Sequence, residues 1–140
     1  MIKKQNPQQT FSISNLAEEF EISTRTIRFY EEKGLICPGR TDGNQRIYTR
    51  KDRARLVLIL KGRKFGYSID EISEIIGLAN IDLDEIDQIK KTLEYGKKRL
   101  AEIRERISEL KLLEEDIVSF HNKAKDRLEK LLKEKSGKNA

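Results

Sequence analysis

The side chains with the greatest chemical reach in this chain are arginines, and their spacing suits recognition rather than turnover. In the stretch Ile22 to Leu35, Arg25, Arg28 and Glu32 fall within one narrow arc when placed 100° apart per residue. Ile27 and Tyr30 point roughly the opposite way, and Phe29 lands near the arginine side. Such a helix buries one side and holds planar cationic forks out on the other. Forks of that kind fit phosphate oxygens, or the O6 and N7 edge of guanine. Ser23 is placed to cap the helix, because its hydroxyl can accept from an orphan N–H one turn in. Gly34 stands where a left-handed C′ residue would end it.

More cations follow. Between Arg40 and Lys64 there are nine basic residues, Arg40, Arg46, Arg50, Lys51, Arg53, Arg55, Lys61, Arg63 and Lys64, against the two acids Asp42 and Asp52. A solvated face normally mixes both signs, whereas clustering of one sign is what phosphate neutralisation requires. The other reactive types are sparse. Cys37 is the only cysteine and His121 the only histidine. One cysteine excludes a disulfide within the chain, which agrees with a reducing cytoplasm. One imidazole without neighbouring ligands is a poor metal site, so neither a metal nor another cofactor is expected. Cys37 reads as a small packed side chain more readily than as a redox sensor. No phosphate loop and no nucleophile with a base nearby is recognisable, which argues against an enzyme.

The elements that must position these cations can be read in order. Residues 1–10 form a polar lead-in expected to be disordered and without the apolar core of a signal peptide. Ile13, Leu16, Ala17 and Phe20 have helical spacing, with Ser12 as candidate cap. Only Glu21 and Ile22 separate this helix from the arginine helix, so the pair reads as a helix-turn-helix corner over about 13–33. Asp42-Gly43-Asn44 is a turn signal, and Arg46-Ile47-Tyr48 alternates like a short strand. With Pro38 restricting the preceding strand to an edge, residues 36–49 form a hairpin, or wing, whose arms carry Arg40, Arg46 and Tyr48. Thr49 and Asp52 have capping-box spacing ahead of Leu56 to Leu60, a run apolar almost all round and therefore expected to be a central buried helix. Gly62 near its end suggests close packing. Ser68 and Glu71 form a second box for a helix burying Ile69, Ile72, Ile75 and Ile76 and ending at Gly77. Residues 78–81 read as a linker, and Asp82 to Glu85 offer a further cap.

From Ile86 the pattern becomes a heptad seam: Ile86, Ile89, Leu93, Gly96, Leu100, Ile103, Ile107 and Leu110. It continues through Leu113, Ile117 and Phe120, with the three-residue step from Leu110 to Leu113 acting as a stammer. A lone helix with one apolar stripe needs a partner. A stripe of this length, about 50 Å at 1.5 Å per residue, outreaches a domain of some 80 residues, so a homodimer is favoured over back-packing. The expected fold is therefore mainly α: a winged helix-turn-helix DNA-binding domain over 11–80 with a small β-hairpin wing, followed by a long coiled-coil dimerisation helix over 82–132. A frayed tail is expected at 133–140. The net charge is +5 and the pI about 9.3, in keeping with a polyanionic partner. The excess is +4 in residues 1–80 and +1 in 81–140. No apolar run approaches the length of a membrane helix, so no membrane partner is expected.

These motifs together resemble the MerR family of bacterial transcription regulators. The matching stretches are Ile13 to Ala17, Thr26 to Leu35, Arg46 to Tyr48, and Phe65 to Ile72. The chain also looks similar to the subgroup controlling acyl-CoA and branched-chain amino-acid breakdown. The resemblance implies a homodimer with an antiparallel coiled coil, each copy placing its second helix in a major groove. It implies phosphate contacts from the wing and from the start of the fourth helix. It further implies binding between promoter elements spaced too far apart, with bending and untwisting that lets RNA polymerase engage both, so that polymerase is reached only through promoter geometry. Carried over by position, Arg28 and Tyr30 would contact bases or phosphates, and Arg46 would hold phosphate. Arg28 could equally pair with Glu32 one turn on. The full expected DNA-contact set is Ser12, Thr24, Arg25, Arg28, Tyr30, Arg40, Arg46, Tyr48, Arg63 and Lys64. Metal-sensing members carry cysteines near the end of the dimerisation helix and beyond it, so the lone Cys37 rules out a thiolate site of that type. No large C-terminal effector domain is expected either. Any small-molecule effector would sit at the dimer interface or between the DNA-binding lobe and the coiled coil. The competing reading is a coiled-coil adaptor that binds only protein, which would leave the arginine helix and basic wing without a role.

Overall fold

The structure, a computed structural model, describes residues 9–79 and 84–138. The chain runs β1 (Thr10–Phe11), α1 (Ile13–Phe20), α2 (Thr24–Glu32), β2 (Gly39–Arg40), β3 (Arg46–Thr49), α3 (Arg50–Lys64), α4 (Ile69–Ile76) and α5 (Glu85–Lys138). It divides into two units, Met1–Tyr95 and Gly96–Ala140.

In the first unit, polar caps start the short helices. Ser12 and Asn15 form a reciprocal capping box on α1, and the Ser23 hydroxyl accepts from the Thr26 N–H on α2. The boxes expected at Thr49/Asp52 and Ser68/Glu71 are both formed. Each satisfies orphan donors that would otherwise face the core or water unpaired. The α1–α2 corner is made by Glu21, which takes a left-handed conformation (φ 53°) while the Ile22 N–H bonds to the Ala17 carbonyl at 3.0 Å. Gly34, at φ 75°, ends α2 as its position predicts.

The wing is one hairpin of a three-stranded antiparallel sheet in the order β1-β3-β2. Gly39 pairs with Ile47 and Arg40 with Arg46. Residue 42–44 turn chemistry holds: Asn44 adopts φ 62° and its N–H bonds to the Thr41 carbonyl at 2.8 Å. The third strand was not legible. Thr10 and Phe11 pair with Thr49 and Tyr48, so Thr10 belongs to the sheet and not to a disordered lead-in. Two residues are too few for an alternation pattern to register.

Leu16, Ile27, Tyr30, Leu35, Ile36, Tyr48, Leu56, Ile59, Ile72 and Ile76 form the core of this unit. Helix α3 is buried on one side only. Leu56 and Ile59 are enclosed, but Leu58 is 51% exposed, which corrects the expectation of a helix buried all round. Gly62 is explained by packing: a Cβ there would stand 2.8 Å from Ile72 Cγ1, so α3 and α4 meet through the missing side chain. Helix α5 is capped by Asp84, whose carboxylate accepts from the Ile86 N–H at 3.0 Å. The Tyr95 hydroxyl donates to Glu74 of α4, and its ring lies 6.1 Å from that of Tyr67.

The second unit is helix throughout its described residues. It continues past 132 to Lys138, so the fraying expected from 133 onward is not seen over that span. Residues 1–8 of the expected lead-in, residues 80–81 of the linker, residues 82–83 of the cap, and the last two residues lie outside the described residues.

Candidate nucleic-acid interface

Burial of Ile27 and Tyr30 fixes how α2 is turned about its axis. That rotation leaves Arg25, Arg28, Phe29 and Glu32 on the exposed side, as the helical arc requires. Phe29 is 41% exposed, with the Lys33 ammonium 5.5 Å above its ring. Phe29 therefore sits on the same open surface as the arginines, where the helical wheel lands it, partly covered by the Lys33 charge.

The wing is held against α2 by an ion pair that sequence spacing did not reveal. Arg46 Nε donates to Glu31 Oε2 at 2.7 Å, and Arg40 Nη2 lies 4.0 Å from Glu31 Oε1. This hydrogen bond raises the Arg46 pKa further above its ordinary value. Arg40 also donates to the Asn44 carbonyl at 3.2 Å, which stiffens the hairpin. The partners are fifteen residues apart or less along the chain but on different elements, so only the folded hairpin brings them together. The pairing of Arg28 with Glu32 is not what organises this surface; Glu31 is.

Ser12, Ser14, Arg28, Arg40, Asn44, Gln45 and Arg46 line one open depression between the start of α1, the side of α2 and the wing. Three guanidinium groups and several neutral donors thus converge from three elements. The arrangement suits an anionic backbone running past α2, with the arginines as forks and the amides as secondary donors.

Other expected site residues lie elsewhere. Thr24 opens α2, and Arg25 is exposed one residue on. Tyr48 is fully buried beneath the wing, with its hydroxyl unpartnered among the described residues, so it supports the sheet and is no contact from its surface. Strand alternation explains the correction: Tyr48 faces inward where its hairpin neighbours face out. The ring of Tyr30 is likewise in the core, and its hydroxyl meets Arg63. Burial raises the pKa of both tyrosines, opposed at Tyr30 by Arg63. Arg63 donates also to the Tyr67 carbonyl at 3.1 Å, and Lys64 is exposed beside it at the end of α3.

The basic cluster from Arg40 to Lys64 is not one surface. Arg53 pairs with Glu19 and lies 5.5 Å over the Phe20 ring. Arg55 donates to the carbonyls of Leu35 (2.7 Å), Ile76 (3.2 Å) and Gly77. It ties the chain leaving α2 to the end of α4, beside the Ala79 N–H that bonds to the Gly34 carbonyl at 2.9 Å. Buried Asp52 caps α3 and also accepts from the Cys37 N–H at 3.4 Å. Nothing in residue spacing distinguishes these inward-facing charges from phosphate-facing ones.

On α5, Ile86, Ile89 and Leu93 of the first unit are exposed, as are Leu100, Ile103, Ile107, Leu110, Leu113, Ile117 and Phe120 of the second. Among the described residues, no helix is long and apolar enough to cross a membrane, and no three His, Cys, Asp or Glu side chains are grouped to hold a metal ion.

A helix-turn-helix whose second helix shares a basic depression with a β-hairpin defines a winged DNA-binding module. Residues 11–77 match the model of the MerR HTH family regulatory proteins, and residues 53–120 match that of the MerR DNA-binding segment. The chain is 34% identical over 111 residues to the HTH-type transcriptional regulator CueR of Salmonella typhi, covering 78% of each chain. It is 33% identical over 129 residues to a ZntR homolog of Haemophilus influenzae, covering 89% of this chain and 93% of that one. A crystal structure of HiNmlR, a MerR family regulator lacking the sensor domain and bound to promoter DNA, superposes with TM-score 0.54 at 30% identity, covering 74% and 76% of the two chains. The chain belongs to the MerR family: it is a DNA-binding transcription regulator of the helix-turn-helix type and not an enzyme.

Proposed function

We propose that the chain acts as a homodimer that binds a near-palindromic promoter site and distorts the DNA between two promoter elements. The observation that carries this reading is the convergence of Arg28, Arg40 and Arg46 on one depression beside α2. An isolated helix could grip a groove, but a helix with a wing clamped to its side also fixes where the flanking phosphates run. Two-fold symmetry of the protein would then be mirrored in the operator. The uncovered stripe on α5 supplies the surface for a second copy. RNA polymerase is engaged through promoter geometry and not by direct contact. Ser12 is a further proposed contact within the same depression, and Thr24, Arg25, Arg63 and Lys64 remain proposed contacts outside it. The proposed response is to a metabolite of acyl-CoA or branched-chain amino-acid breakdown, a reading that rests on the family resemblance and on a single cysteine, Cys37, in place of a thiolate set.

Footprinting on the native operator tests the DNA claim. Arg28→Ala should reduce operator affinity and relax discrimination at one base position per half-site, by about 1–3 kcal/mol if Arg28 reads guanine bidentately. The dimer should persist by sedimentation. An unchanged footprint and affinity would remove Arg28 from the site. Adjacent genes for acyl-CoA dehydrogenases or ligases would support the metabolite reading, and a metal-efflux neighbourhood would count against it.

A further inference from the structure

Among the exposed residues of α2, Phe29 is the one apolar side chain; the others are Arg25, Arg28 and Glu32. At 100° per residue, Arg25 and Glu32 run along the middle of the open side, with Arg28 about 60° to one flank and Phe29 about 40° to the other. The Arg28 flank is the one that meets the wing, since Arg28 shares its depression with Arg40 and Arg46. The open side of α2 therefore has a cationic edge toward the wing and an apolar edge away from it.

The other exposed large apolar side chains described before α5 have apolar company. Leu58 and Phe65 line one recess with Ile72 and Ile75, and Leu78 lines another with Ile36 and Pro38. Phe29 stands among charges. Its ring is nonetheless held in place: the Tyr30 ring packs at 5.9 Å, and the Lys33 ammonium lies 5.5 Å from the Phe29 centroid. With both contacts made, the side chain is still 41% exposed. A phenyl ring has no donor for a phosphate, and its face carries partial negative charge. It therefore fits neither role given to the arginines. What it can cover is apolar, and the apolar group that base edges present in the major groove is the thymine C5-methyl.

We propose that Phe29 sets base preference by covering the C5-methyl group of one thymine in each half-site, on the flank of α2 away from the wing. Lys33 and Tyr30 restrain the ring for this contact, so that little of its freedom is left to lose on binding. The assignment rests on the reading above that α2 of each copy faces the bases of its own half-site.

The test uses the full chain and the native operator with deoxyuridine in place of thymine, at one symmetric pair of positions at a time. Deoxyuridine pairs as thymine does and lacks only the methyl group. Covering one methyl is worth about fourfold in affinity, so one such pair should weaken binding of the parent about fifteenfold across the two half-sites. Phe29→Gln should bind the thymine operator more weakly and show no further loss at that pair, whereas Arg28→Ala should keep the deoxyuridine loss. Circular dichroism checks that the variants are folded; should Phe29→Gln fail to fold, Phe29→Ala carries the same comparison. If no deoxyuridine pair weakens the parent by more than about twofold, the assignment is overturned without recourse to any variant. It is overturned equally if the sensitive pair stays as sensitive in Phe29→Gln. Equal losses by Phe29→Gln on operator and nonspecific duplex would put the ring against the sugar–phosphate backbone and also overturn it. A parent chain that does not prefer the operator to nonspecific duplex would overturn the placement of α2, and the role of Phe29 with it; preference without thymine sensitivity would overturn the role of Phe29 alone.

Discussion

Glu31→Gln separates the two jobs that the wing performs. The native carboxylate holds Arg46 at 2.7 Å and draws Arg40 to 4.0 Å, so it fixes the hairpin against α2 while cancelling part of the charge presented to DNA. Glutamine keeps the shape and an acceptor oxygen but removes the negative charge. If each protomer then neutralises one more phosphate, the dimer gains about two, and the slope of log K against log[salt] steepens by about 1.8. Between 50 and 200 mM salt the variant should therefore lose about 12-fold more affinity for nonspecific duplex than the parent does. Its affinity at low salt should exceed the parent's. Discrimination between operator and nonspecific duplex should fall, because a wing held to α2 by a neutral hydrogen bond in place of an ion pair positions the flanking phosphates less sharply. Fluorescence anisotropy on both duplexes across a salt series reads all three quantities. An unchanged slope together with unchanged discrimination would refute the role given to Glu31.

Two further substitutions test the interior that supports this surface. Arg55→Met should destabilise the first unit by about 2–4 kcal/mol in denaturant titration, since it leaves three backbone carbonyls without their shared donor; a change below about 1 kcal/mol would deny that latch. Tyr48→Phe should stabilise the fold by about 1 kcal/mol, because it removes a buried hydroxyl that has no partner among the described residues. Burial raises the Tyr48 pKa, so the stability linked to its proton is fully present below about pH 10, the unfolded value, and is lost as pH rises through the folded value. The alkaline loss should shrink in Tyr48→Phe without vanishing, because Tyr30 is shifted the same way; an unaltered alkaline limb in pH-dependent melting would contradict that assignment.

The polar caps and turn residues were legible because they act locally. Ser12, Ser23, Thr49 and Ser68 each bond to an N–H within one turn, and Gly34 and Gly77 need only their own backbone angle. The two sides of α2 and the exposed stripe of α5 were legible because helical periodicity repeats the same choice several times. Strand β1 was not, being two residues long and paired with a strand almost forty positions away.

Charge shows the division most plainly. The sequence by itself determined that cations gather between Arg40 and Lys64, that a helix-turn-helix precedes them, and that a heptad helix follows. Only the tertiary structure decided which of those cations remain available to a phosphate. Arg40 and Arg46 emerge around Glu31 beside Arg28, whereas Arg53 turns to Glu19 and Arg55 to three carbonyls of the core. The physical reason is that a guanidinium follows its nearest acceptors, and those acceptors lie on elements that approach one another only when the chain has folded.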